Sequence, residues 1–274
     1  MTTVHIVILL ITGAAAGFAG GLLGIGGAFI MTPVQYAIFT AMGISTDIAI
    51  KLAFGTSLLV VLPTVVSGAW RHSKKGAVQW KVAIIMGSCG LLAASGGATM
   101  ATHLPGTALK IAFGVIALAA AIRMLTTGNT EVKQELMNNP WLWAVWAIPI
   151  GILTGILGVG GGVMAVPVLV LVLGFRMHNA VATSLAIIIF TSIGGAAGYI
   201  INGLGVPNLP DYSIGYIHLP SAFLLAVGSI NMAQVGAVTA HRLPAKQLKY
   251  IFVTLTIYMG LRMVGVFDWL GLPI

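Results

Sequence analysis

The sequence predicts an all-α polytopic membrane protein made of two inverted repeats, each opening with a glycine-broken helix or helical hairpin followed by three spans. Three observations carry this. Of 274 residues, 58% are hydrophobic and 7% charged, with a mean hydropathy of +1.05; apolar runs of roughly 20 residues, enough to cross a bilayer, fill most of the length. A glycine-rich stretch, residues 17–35, recurs at 151–169 with eight of nineteen residues identical. Finally, the basic residues fall on one side only if the second half is upside down.

The first apolar block runs from about Val4 to Gly43 and contains GFAGGLLGIGGAFIMTPVQ. Glycine costs about 1 kcal/mol against alanine at each helical position, so Gly20, Gly21, Gly24, Gly26 and Gly27 together signal a break. About 20 residues before Gly24 could span, whereas 16 from Ala28 to Gly43 give only about 24 Å of helix at 1.5 Å per residue; hairpin and double crossing both stay open. A second block, from about Ile48 to Trp70, ends at Arg71, Lys74, Lys75 and Lys81. The third runs from about Val82 to Ala101, and the fourth from about Leu109 to Leu125. A polar stretch, TTGNTEVKQELMNNP, then separates the halves: residues 1–126 form the first membrane repeat, 127–140 the linker and 141–274 the second repeat.

The second half repeats the order. A block from about Trp141 to Gly174 holds GILTGILGVGGGVMAVPVL, and three more follow at about His178–Ile201, Tyr216–Ala240 and Leu248–Phe267. The likeness extends beyond glycine. Thr56, Ser57, Leu58, Thr64 and Gly68 match Thr183, Ser184, Leu185, Thr191 and Gly195 at an offset of 127; residues 97–124 match 236–263 at an offset of 139 with ten identities. Duplication of this kind recurs among secondary transporters.

Charge decides between parallel and inverted copies. If every block crossed once, the thirteen Lys and Arg would split seven to six, which is no bias. If each broken block returns to its own side or crosses twice, ten become cytoplasmic: Arg71, Lys74, Lys75, Lys81, Arg123, Lys133, Arg176, Arg242, Lys246 and Lys249. Only Lys51, Lys110 and Arg262 stay outside. Positive charge in short cytoplasmic loops sets orientation, so both termini of a multi-pass membrane protein are expected outside.

A helix broken inside hydrocarbon frees backbone N–H and C=O groups, and such a break must be buried in protein or line a watery cavity. After Gly26-Gly27 and after Gly160-Gly161-Gly162 a new helix begins, with unpaired, partly positive N–H groups. Two such ends facing each other would bind a small anion without any lysine. The expected substrate-binding residues are Gly24, Gly26 and Gly27 with Thr56 and Ser57, and Gly158, Gly160, Gly161 and Gly162 with Thr183 and Ser184. Close packing is the competing reading for Gly17-Gly21, Gly20-Gly24 and Gly151-Gly155. Lys51 and His178, matched at offset 127, read as helix-end anchors. Asn231 and Gln234 suit either interhelical bonding or the site.

Enzyme readings find no support. Phe29 and Val163 stand where a third dinucleotide-binding glycine would be, and HExxH, G-x-S-x-G and Cys/His clusters are missing from the sequence. The single Cys89 gives no disulfide framework, and no metal or cofactor is expected. A nucleic-acid partner is not expected either, because the excess basic residues sit in short loops. Glu131, Glu135, Asp211 and Asp268 lie away from the blocks and only Asp47 lies near one, which argues against a proton relay or sodium site of the usual carboxylate kind. Voltage would suffice to drive an anion outward, at about 2.3 kcal/mol per charge per 100 mV.

The doubled glycine signature ending in Pro33 and Pro167, with Thr-Ser-Leu some twenty residues beyond each, resembles the TauE/SafE family of sulfite and sulfonate exporters, over nearly the whole chain. That resemblance implies transport of small sulfur-containing anions such as sulfite, thiosulfate or organosulfonates across the plasma membrane, with export as the expected direction. Two departures stand out: Ala28 replaces the glycine found at 162, and the interval from proline to Thr-Ser-Leu is longer in the first copy. The leading expectation is a carrier holding a small anion at the glycine breaks in a lipid bilayer, as a monomer or an oligomer. A channel-like pore for small solutes and a non-transporting membrane scaffold are the alternatives.

Overall fold

The computed structural model describes residues 2–126 and 139–266. The inter-repeat linker expected at 127–140 therefore falls almost wholly outside the described residues, as do Glu131, Lys133, Glu135 and Asp268.

Among the described residues ten helices follow in order: α1 (Thr3–Leu23), α2 (Ala28–Ala41), α3 (Thr46–Ser73), α4 (Trp80–Thr102), α5 (Gly106–Thr126), α6 (Pro140–Leu157), α7 (Gly162–Leu171), α8 (Met177–Gly203), α9 (Leu219–Ala240) and α10 (Ala245–Val264). The fold is all-α. Six of these helices, α1, α3, α4, α6, α8 and α9, are long and apolar enough to cross a membrane. Their outer faces carry exposed apolar side chains such as Val4, Ile11, Leu92, Val145 and Phe223, which suits contact with lipid rather than water.

Both expected breaks are present. α1 ends at Gly24 and α6 at Gly158, each left-handed with φ of 74° and 63°. The next helices start after Gly27 and Gly161, at φ of 86° and 85°, while Gly26 and Gly160 stand at 79° and 75°. Only glycine adopts three such positions in four residues without strain, which is the local reason these runs end a helix. α2 then folds back along α1: a Cβ on Gly27 would meet the Ala16 carbonyl at 2.6 Å, and Met31 and Ile38 pack with Leu9. The first glycine run is thus the tip of a hairpin whose two helices, α1 and α2, run back along each other.

Neighbour contacts fix helix directions. Gly13, Gly17 and Gly21 of α1 lie against Leu225, Ser229 and Ala233 of α9, so these helices run parallel, with backbones touching where side chains would intervene. Gly151 and Gly155 of α6 lie against Gly90 and Ala94 of α4 in the same way. Close packing is what these four-residue glycine spacings do. α9 also parallels α3, through Thr56 with His218, Thr64 with Ser229 and His72 with His241. α4 parallels α8, through Gln79 with Thr183 and Thr99 with Asn202. α3 and α8 themselves cross antiparallel at the centre, Gly55 lying by Tyr199 and Gly68 by Leu185. Every helix of the first half therefore points against its counterpart among α3/α8, α4/α9 and α1/α6.

Candidate functional site: two hairpin tips at the central crossing

The two tips meet at the middle of α3 and α8. A Cβ on Gly26 would stand 3.1 Å from Val61 Cγ1, 3.3 Å from Val65 Cγ1 and 3.4 Å from Ile188 Cγ2. A Cβ on Gly160 would stand 3.1 Å from the same Ile188 methyl and 3.2 Å from the same Val61 methyl. The tips also touch each other, since a Cβ on Gly162 would meet the Gly24 carbonyl at 2.5 Å and the Ile25 carbonyl carbon at 2.8 Å. This close approach accounts for glycine at 162. Ala28, its counterpart, faces no such wall and is simply buried.

The polar groups at the tips divide by type. Carbonyls are satisfied: Ser184 Oγ donates to Gly24 O at 2.8 Å, and Thr191 Oγ1 donates to Gly160 O at 3.2 Å. Amides are not. The N–H groups of Gly26, Gly27, Ala28 and Phe29, and those of Gly160, Gly161, Gly162 and Val163, have no acceptor among the described residues. Ile30 and Met31, and Met164 and Ala165, turn back to the carbonyls of Gly27 and Gly161, so each new helix begins with four open donors. More than nine-tenths of buried backbone donors are paired in folded proteins, and two runs of four in one interior are a concentration of positive potential. Ser192 adds a hydroxyl beside Gly160, 3.7 Å from the position of its Cβ, and this Oγ is buried without a partner.

Of the residues expected in the site, Gly26 and Gly160 share Val61 and Ile188, and Gly24 touches Gly162, whereas Gly27 and Gly161 lie against Ala16 and Thr154 of their own hairpins and Gly158 against Phe54 of α3. Ser184 reaches them through a carbonyl, as above. Thr56 and Thr183 lie further along and accept from the backbone N–H of His218 and Gln79, at 2.9 and 3.0 Å. His218 and Gln79 are the residues that precede α9 and α4, themselves matched at offset 139, so both threonines tie a helix start to the central pair. Ser57 faces α2, accepting from Thr32 Oγ1 at 3.0 Å and Gln35 Nε2 at 2.8 Å. Lys51 Nζ donates to Thr102 O at 2.8 Å and His178 Nε2 to Leu243 O at 3.2 Å, the anchoring role expected for both. Asn231 is exposed on α9.

Two hairpin anchors were not foreseen. His72 Nε2 lies 3.0 Å from Gly21 O, and Tyr199 Oη lies 3.0 Å from Gly155 O. The glycines match at offset 134 and the anchors at 127, so one position ties each hairpin's first helix to its crossing helix. The carbonyl can only accept, hence His72 donates through Nε2 and accepts at Nδ1 from His241 Nε2, 2.9 Å away. Burial, then Lys75 and His178, lower the pKa of His241, which disfavours its charged form. Only the repeat register links His72 to Tyr199; their side chains share no sequence signal.

A narrow, partly open cleft adjoins the second tip. Gly161 and Val159 form one edge, and Phe29, Phe113, Leu157 and Met164 give it apolar walls. Phe113 stacks between Phe29 and Phe54, with centroids at 5.5 and 6.3 Å. Among the described residues no group of three or more His, Cys, Asp or Glu could hold a metal ion.

The arrangement is that of a membrane protein with paired donor-rich breaks, and comparison with known proteins gives it a family. The family model described as sulfite exporter TauE/SafE matches residues 9–263. The chain belongs to the TauE/SafE family. It is 30% identical to a probable membrane transporter protein of Methanocaldococcus jannaschii over 94% of both chains. It is 27% identical to one of Haemophilus influenzae over 94% of this chain and 97% of the other. With YunE of Bacillus subtilis, also described as a probable membrane transporter protein, the identity is 24% over 96% and 99%. No solved structure matches the chain. This TauE/SafE member is a multi-pass membrane transporter and not an enzyme, and the glycine tips lie within the matched region.

Proposed function

We propose that this TauE/SafE protein is a secondary carrier of small sulfur-containing anions, sulfite, thiosulfate or an organosulfonate, which binds at the two glycine tips and is exported across the plasma membrane. The observation that carries the reading is the pair of buried amide runs at the α3/α8 crossing, four open N–H groups each. Helix starts of this kind favour anions through the dipole and the donors together, and glycine lets an oxygen approach the backbone. The apolar cleft beside Gly161 suits a carbon substituent attached to the anionic head, which favours an organic sulfonate over the bare inorganic ions.

In this reading residues 1–126 and 141–274 are inverted repeats with both termini outside. The antiparallel run of α3 against α8 supports the inversion, as does the gathering of Arg71, Lys74 and Lys75 near the α3 end that meets the starts of α4 and α8. Alternating access then follows from one hairpin moving against the other around a fixed anion.

Thermal stability of the purified protein, followed in sulfite, thiosulfate, ethanesulfonate, benzenesulfonate and matched carboxylates, tests this. Saturable stabilisation by a sulfonate, and competition among sulfonates for flux into proteoliposomes, are expected. A response to none of the sulfur anions, or an equal response to acetate and benzoate, would refute the substrate class.

A further inference from the structure

One fully buried polar cluster is left over by the anion site. Gln35 lies on α2 with no exposed surface, its Nε2 bonded to Ser57 Oγ, and its Oε1 has no hydrogen-bond partner. Thr32, also fully buried, donates to the same Ser57 oxygen. An acceptor stranded in the interior costs free energy, and it calls for a cation or a donor. Helical side chains lean toward the N-terminus of their helix, which carries Gln35 back over the turn holding Thr32 and Phe29. The Phe29 carbonyl lacks its helical donor too, because Pro33, four residues on, has no N–H.

We propose that Gln35 Oε1, Thr32 Oγ1 and the Phe29 carbonyl form a site for a sodium ion, with Ser57 Oγ holding the Gln35 amide and the Thr32 hydroxyl in place through the two bonds it accepts. All three are neutral oxygens, the ligands that hard cations take, and freed carbonyls at broken helices hold sodium in carriers of related plan. A carboxylate is not needed, so this site differs from the kind the scarcity of buried acids argues against. It exists in one half only, because Val166 and Leu169 occupy the positions matching Thr32 and Gln35. Ser57 precedes Val61 by one turn on the same face of α3, about 6 Å along the helix, and Val61 lies against both tips. A sodium ion there adds positive charge beside the amides without lying between them. Sodium and anion then strengthen each other's binding, and by linkage each does so by the same factor.

This goes beyond the anion reading and is tested first without any sulfonate. Thermal stability is compared in sodium, potassium and choline chloride at equal ionic strength. Saturable stabilisation by sodium above potassium and choline is expected in the wild type. It should vanish in Gln35→Leu and Thr32→Val, which install the second half's own residues. Ethanesulfonate should then bind about tenfold more tightly in sodium than in choline, and Gln35→Leu should keep the weaker, sodium-independent affinity. Equal stability of the wild type in all three salts would overturn the proposal even if neither variant folds. So would a sodium response that survives in Gln35→Leu. Sodium stabilisation with no sulfonate binding would leave the cation site standing and remove the anion reading.

Discussion

Replacing Gly26 with alanine separates a binding tip from a packing tip. Gly26 sits at φ +79°, where an L-residue costs about 1–2 kcal/mol. The new methyl would lie 3.1–3.4 Å from branched side chains of Val61, Val65 and Ile188, and such overpacking costs about 1–3 kcal/mol. Their sum stays below the stability of an ordinary domain, about 5–15 kcal/mol, so the protein still folds. Function is another matter. Relief of the clash displaces the Gly26–Gly27 amides, and each hydrogen bond lost to a charged oxygen is worth about 1.5–3 kcal/mol. Transport should therefore fall about 10- to 100-fold per folded molecule, and likewise for Gly160→Ala. Gly43 provides the control, with φ +83° and nothing within 4 Å of a Cβ: Gly43→Ala carries the same backbone strain far from the tips. Initial rates of sulfonate flux in proteoliposomes, normalised to monodisperse protein, compare the three. If Gly26→Ala loses no more activity per folded molecule than Gly43→Ala, the tips are not where the anion binds.

Other positions separate structure from binding in the same way. Gly17→Ala and Gly151→Ala push a methyl into the Ser229 and Gly90 backbones; a marked loss of monodisperse protein on size-exclusion chromatography is expected, since backbone cannot rotate aside. Ser184→Ala removes the donor to Gly24 O and should lower thermal stability by about 1–3 kcal/mol. Ser192→Ala removes a hydroxyl that has no partner, so stability should hold while sulfonate affinity drops, as binding isotherms would show. His218 gives a pH dependence. Burial lowers its pKa from 6.5 to about 4, so between these values the unfolded chain binds the extra proton and the folded chain does not. Its contribution is present above pH 6.5 and is lost as pH falls toward 4. His218→Asn, which can still cap α9, should flatten that part of the stability curve.

What was legible in the sequence was what glycine and hydropathy dictate. Left-handed positions at Gly24, Gly26 and Gly27 and their copies favour glycine by about 1–2 kcal/mol each, so the breaks showed in the letters. The short interval from Ala28 to Gly43 did not choose between hairpin and crossing, because length bounds a helix but not its direction; packing of Gly27 on Ala16 shows that α2 folds back along α1. The matched threonines were legible as a pair, but their partners were not. A hydroxyl's partner depends on the third dimension, and Thr56 and Thr183 bond to the residues that open α9 and α4. Gln35 drew no notice, since a lone amide in an apolar run has no periodic signature.

The sites that escaped sequence reading share a physical cause, and it bears on mechanism. Duplication makes matched residues conspicuous and hides unmatched ones. Yet a carrier with two identical halves has degenerate inward and outward states, and only differences between the halves can bias it. Those differences are Ser192 where α3 has Val65, Gln35 where α7 has Leu169, and His72 where α8 has Tyr199. Ser57 and Ser192 each lie one turn from the central Val61 and Ile188, toward the start of α3 and the end of α8. Because α3 and α8 are antiparallel, both lie on the same side of the tips. On the opposite side stand Val65 and Ser184, whose hydroxyl is already bonded to Gly24 O. The unpaired Ser192 hydroxyl, and the unpaired Gln35 Oε1 beside Ser57, thus flank the tips from one direction. Exchanging Val65 and Ser192 as Val65→Ser with Ser192→Val moves the free hydroxyl to the other side while keeping composition, and should shift the balance of labelling between the two open states. Unchanged accessibility of cysteines introduced at the two mouths would mean that the bias lies elsewhere.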